Sequence, residues 1–160
     1  VPYLFDGYNL LRAVQKMEEF ASFSDVQLCR AISDFLSSIR QRGSIIFDGI
    51  GPADKSAFEG MRYLEVHFSG SKKEADDIIE DMILDNTAPK RLVVVSSDRR
   101  LRAAATKRKA AAVTATAFWI ALLRQLEKAA NKPMPEPSQK RGGLSKRETD
   151  IWLKIFGMNQ

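Results

Sequence analysis

The 160-residue chain contains one cysteine, Cys29, and one histidine, His67. A lone cysteine excludes an internal disulfide and a cysteine-rich zinc site. A lone histidine excludes mechanisms that need two, and any histidine-rich metal centre. No apolar run approaches the ~18 residues that span a bilayer, so no membrane partner is expected. The first residues lack the basic-then-apolar layout of a secretory signal, and a cytoplasmic protein is the simplest expectation. There is no internal repeat. These gaps leave carboxylates as the chain's main means of doing chemistry.

What is present is ordinary for a globular protein. Apolar residues make up 44% and charged residues 28% of the chain, and the length suffices for one domain with a substantial core. The 25 Lys and Arg outnumber the 20 Asp and Glu, giving a net charge of +5. That balance suits a polyanionic partner without requiring one.

Five apolar stretches read as strands: PYLF (2–5), SIIF (44–47), YLEVHF (63–68), RLVVVSS (91–97) and AAAVTA (110–115). Four stretches between and after them read as helices: 24–43, 71–86, 99–109 and 117–130. Ser24 with Gln27, and Ser71 with Glu74, fit capping boxes at two of the helix starts. Gly43 suits the stop of the first helix. Strands alternate with helices, and the strands lack polar alternation. This predicts an α/β fold, a three-layer α/β/α sandwich around a mostly parallel sheet covered on both faces. The domain is expected over residues 1–130. A linker containing three prolines and two glycines follows over 131–144, and a helical tail over 145–160.

Three of the strands run into an aspartate. Asp6 follows YLF, Asp48 follows SIIF, and Asp98 follows VVVSS. The C-terminal edge of a parallel sheet is where ligands bind, so these carboxylates are expected along one rim. Asp76 lies beside the apolar arc Ala75, Ile78, Ile79, Met82 and Ile83 and can look toward that rim. Asp77 points further outward, to a supporting role or to solvent. Gathered carboxylates repel by several kcal/mol at an effective dielectric of ~20. Either their pKa values rise or a cation neutralises them. Oxygen-only ligation suits Mg²⁺ or Mn²⁺. Asn9 would add a neutral oxygen, orient a ligand, or cap the turn that follows it. Gly7 would give backbone and metal room to approach. Each feature also has an ordinary use: an Asp after a strand often caps a turn, and paired acids favour a helix N-terminus.

Basic residues flank the acids. Lys72 and Lys73 precede Asp76, and Arg99 and Arg100 follow Asp98. They would hold phosphates or form a solvated face. Tyr8 would stack on a base or pack internally.

Four segments, YLFDGYNLL, SIIFDG, FSGSKKEADDIIE and VVVSSDRRL, occur in this order. Together they resemble the NYN-domain proteins of the YacP-like branch, in the PIN-like nuclease superfamily. The likeness runs over about residues 3–120, and the tail reads as an extension beyond it. The resemblance implies a PIN-like fold and a Mg²⁺- or Mn²⁺-dependent endoribonuclease with no nucleotide cofactor. It implies RNA as substrate, single-stranded or mRNA, with the ribosome as one expected setting. It makes Asp6, Asp76 and Asp98 the metal ligands, and Asn9, Asp48 and Asp77 supporting catalytic positions. Two other readings stay open. One is a non-catalytic RNA- or ribosome-binding module on the same fold. The other is a nuclease for structured DNA.

Overall fold

Five parallel strands form the sheet: β1 (Tyr3–Asp6), β2 (Gly43–Phe47), β3 (Leu64–Phe68), β4 (Val93–Val95) and β5 (Ala111–Val113). Their spatial order is β3-β2-β1-β4-β5. The computed structural model describes residues 2–130. The expected linker and terminal helix lie outside the described residues. Among the described residues the strands are accompanied by five α-helices, α1 (Gly7–Gln15), α2 (Asp25–Ile39), α3 (Ala75–Asp85), α4 (Arg99–Lys107) and α5 (Ala115–Ala130), and by three single-turn 3-10 helices. None is long and apolar enough to cross a membrane.

Helices pack on both faces, as the unbroken apolar strands require. Phe5, Ile45, Phe47 and Val95 join one core with α1, α2 and α5. Leu4, Ile46 and Val94 join the other with α3 and α4. Side chains alternate between faces along a strand. The parity that sends Leu4, Ile46 and Val94 toward α3 and α4 therefore also sends Asp6, Asp48 and Ser96 there. In the larger core, Trp119 is fully buried with its ring 5.4 Å from Phe20 and 5.6 Å from Phe23. Burying each such ring is worth about 1.5–3 kcal/mol.

The chain runs β1, β2, β3 in one direction, then crosses back to lay β4 on the other side of β1. Successive crossovers thus leave the sheet on opposite faces beside the β1–β4 pair. A crevice opens at such a reversal, at the carboxyl ends of the strands.

Three local expectations change. Helix α1 was not anticipated; the expected helices begin at residue 24. It starts at Gly7, directly off the strand. Gly7 is buried, and a Cβ there would lie 2.7 Å from Phe47 Cε1 and 2.8 Å from the Ile46 carbonyl. Glycine lets α1 leave the sheet against β2. Helix α2 keeps its Ser24–Gln27 box but stops at Arg40, in the left-handed region at φ 54°. Gly43, the expected stop, is instead the first residue of β2. Helix α3 begins one turn later than Ser71 implied, with Glu74 as its N-cap. The Glu74 amide donates to Asp77 Oδ2 at 3.3 Å.

Candidate metal centre at the sheet switch point

Asp6 ends β1 at the crevice and is only 7% exposed. Its Oδ2 accepts from the buried Ser96 hydroxyl at 2.9 Å, just past β4. Ser96 Oγ in turn accepts from the Asp98 amide at 3.0 Å. One hydroxyl therefore joins the two sides of the crevice. Burial pushes the Asp6 carboxyl up to about 6; repulsion from Asp76 and Asp98 adds to this, while Ser96 and Arg12 oppose it. A carboxylate taken from water without a full partner behaves in this way.

Asp98 is the N-cap of α4. Its Oδ1 accepts from the amides of Arg100 at 2.8 Å and Leu101 at 3.2 Å. Asp76 sits in the first turn of α3. Partial burial raises its pKa first, and repulsion from Asp98, Glu74 and Asp48 raises it further, while the Arg100 guanidinium opposes the rise. All three pairs among Asp6, Asp76 and Asp98 thus repel through the same space. Their oxygens form an all-hard donor set of the kind Mg²⁺ and Mn²⁺ prefer. As they stand, however, no three acidic, His or Cys side chains among the described residues are drawn together as a ligand shell. Asp6 and Asp98 each turn one oxygen to a hydroxyl or amide donor, and Asp76 reaches in from a different element.

The other acids have structural partners. Asp48 Oδ1 accepts from the Ala75 amide at 2.9 Å and from the Ser69 hydroxyl at 3.3 Å. It therefore fastens the start of α3, and with it Asp76, to the end of β2. Asp77 Oδ1 receives Arg100 Nη2 at 2.8 Å, and Glu80 Oε1 receives the same nitrogen at 2.9 Å. That guanidinium holds both carboxyls below their usual ranges. Asn9 does not cap a helix. It lies inside α1, and its Oδ1 accepts from the Ser97 amide at 2.9 Å. Ser97 Oγ then accepts from the Ala115 amide at the start of α5 at 3.2 Å.

The basic residues separate by position. Lys72 and Lys73 are exposed and line a cleft of about 500 Å³ with Asp48, Gly49, Ile50, Gly70, Ser71 and Glu74. Lys73 has only a loose contact with Asp81 at 3.9 Å. Arg99 is exposed beside Asp98. Arg100 is already engaged by the two acids of α3. Tyr8 is half-buried and packs edge-on against Phe47 at 4.9 Å; its burial raises the phenol pKa.

Sequence reasoning missed Ser96, Ser97 and Arg12. Ser96 was legible from parity, two residues beyond Val94 on the same face. Arg12 is exposed on α1 and close enough to lower the Asp6 pKa. Its spacing of three from Asn9 becomes meaningful only once α1 is a helix.

Comparison with known proteins agrees with this architecture. The crystal structure of Rae1 (YacP) from Bacillus subtilis superposes with a TM-score of 0.67 at 20% identity, over 83% of this chain and 79% of that one. Its W164L mutant gives 0.60 at 23% identity, over 96% and 91%. Identities this low speak for the fold. No curated protein matches the chain significantly. The sequence profile of the YacP-like NYN domain matches residues 3–156, well past the point where the quoted motifs end. On that match, with the switch-point fold beneath it, the chain belongs to the YacP-like NYN domain family, a family of nuclease type.

Proposed function

We propose that the protein is a divalent-metal-dependent endoribonuclease whose centre is the β1–β4 crevice. The observation that carries this reading is that Asp6, Asp76 and Asp98, on three separate elements at one end of the sheet, lie near enough for repulsion to help push the Asp6 and Asp76 carboxyls up. Leaving such repulsion uncompensated would be costly; a Mg²⁺ or Mn²⁺ ion relieves it. Asp6, Asp76 and Asp98 would hold the ion, which when bound activates water and stabilises charge on a phosphodiester. Ser96 orients Asp6, Asp48 fixes the start of α3, and Asn9 fixes the loop after β4. Lys72, Lys73 and Arg99, joined by Arg12, would take phosphates of an RNA strand; all four are exposed. Single-stranded RNA or mRNA, including mRNA on the ribosome, is the substrate class, and the cytoplasm is the matching compartment.

The second reading is a non-catalytic RNA- or ribosome-binding module. It draws on the unassembled state of the three carboxylates. Purified protein should cleave single-stranded RNA with Mn²⁺ or Mg²⁺ and stop on chelation. Asp6→Asn and Asp76→Asn should abolish cleavage while RNA binding persists. Absence of cleavage with either metal, alongside intact binding, would favour the module. Cleavage of structured DNA in preference to RNA would change the substrate class.

A further inference from the structure

Arg100 is joined to the N-terminal ends of both α3 and α4. Its backbone amide donates to Asp98 Oδ1 at 2.8 Å. Its Nη2 donates to Asp77 Oδ1 at 2.8 Å and to Glu80 Oε1 at 2.9 Å, and its Nε reaches Glu80 Oε2 at 3.4 Å. Asp77 is the residue after Asp76. One residue of α4 therefore grips the carboxylate of Asp98 with its backbone and the turn carrying Asp76 with its side chain. A guanidinium suits this task because its planar fork engages two acceptors in fixed directions.

We infer that Arg100 is a positioning residue that braces α3 against α4 and so sets the separation of Asp76 from Asp98. It is not a phosphate contact. This rests on the metal-centre reading above. The guanidinium and its partners are 45%, 44% and 33% exposed. Pairs so exposed add little to global stability, so the brace acts on geometry. The α4 cap uses only the Arg100 amide, which every side-chain variant keeps.

Sign distinguishes a brace from a simple charge effect. Arg100→Ala removes a positive charge near the carboxylates. Coulomb's law alone predicts tighter Mn²⁺ binding, whereas loss of a brace predicts weaker binding. Partners that orient metal ligands typically change affinity by about 10- to 100-fold when removed. Calorimetric titration of the full chain with Mn²⁺ should therefore show Arg100→Ala weakened by about that factor. Arg100→Lys keeps the charge but loses the second nitrogen on Glu80 and the planar geometry that fixes the directions of the contacts, and should fall between Ala and wild type. Arg100→Ala made in a Glu80→Gln background should cost somewhat less than in wild type, because one of the two charged arms is already weakened while the Asp77 arm remains. Circular dichroism should give unchanged melting temperatures. In RNA cleavage, kcat should fall while KM stays within about twofold.

Equal or tighter Mn²⁺ binding by Arg100→Ala overturns the inference and leaves the nuclease reading intact. So does a raised KM at unchanged kcat, the signature of a phosphate contact. If wild type neither binds Mn²⁺ nor cuts RNA, the metal-centre reading falls, and the brace with it.

Discussion

Asp6 is where stability and proposed function conflict. Its folded pKa of about 6 lies above the ordinary 3.8. Between those values the native state binds more protons than the unfolded chain, so stability falls as pH rises. Above pH 6 the penalty of ionised Asp6 is complete, on the order of 3 kcal/mol. Asp6→Asn keeps an acceptor for Ser96 and removes the charge. In metal-free protein at pH 7.5 it should raise the urea midpoint with an unchanged slope. The gain should shrink toward pH 4, where Asp6 is protonated. An equal gain at both pH values would assign it to something other than ionisation. The neighbouring Gly7 should be intolerant for a steric reason. Gly7→Ala drives a methyl into Phe47 and the Ile46 carbonyl, and should cost about 1–3 kcal/mol in the same assay. A neutral result there would mean that α1 can shift on the sheet. Asp6 was readable because it terminates an apolar run. The role of Gly7 was not, since steric closeness to β2 is invisible before β2 is placed.

At the scale of elements, strands and long helices were legible because burial writes itself into periodicity. Helix α2 carried both its apolar stripe and its capping box, and β4 its run of valines. Helix α1 escaped because no loop separates it from β1 and its first residues are turn-formers. The start of α3 was misplaced because its first amide is capped from elsewhere in the sequence. Asp48, 27 residues away, accepts from Ala75 N at 2.9 Å. That distant cap leads to a test of what Asp48 does. If it acts by holding α3, Asp48→Asn keeps the acceptor and should retain most activity. Asp48→Ala should lose about 1 kcal/mol of stability, as for other caps, together with most cleavage as Asp76 drifts. Equal inactivation by both substitutions, with Mn²⁺ affinity lost, would make Asp48 a metal ligand instead.

Across the whole molecule, the strand order turns scattered motifs into one place. Sequence alone put Asp6, Asp48 and Asp98 on a rim but gave no order along it. The arrangement β3-β2-β1-β4-β5 puts Asp6 and Asp98 beside the reversal and moves Asp48 one strand outward. It also puts Lys72 and Lys73 by a cleft at the ends of β2 and β3, roughly 5–10 Å to the side by strand spacing. An acidic centre inside a chain of net charge +5 implies a division of labour. The acids would act on one phosphate, and the surrounding bases would hold its neighbours on the strand. RNA binding should then weaken with salt, log K falling by about 0.7 per log unit of salt for each phosphate neutralised. Lys72→Ala and Lys73→Ala together should make that slope shallower by about 0.7 per lysine. Cleavage at saturating RNA should persist, because the cleft the two lysines line includes none of Asp6, Asp76 and Asp98. Fluorescence anisotropy with a labelled single strand, across a salt series, measures the slope directly. An unchanged slope would leave these lysines as a solvated face and move the strand to the side of Arg12 and Arg99.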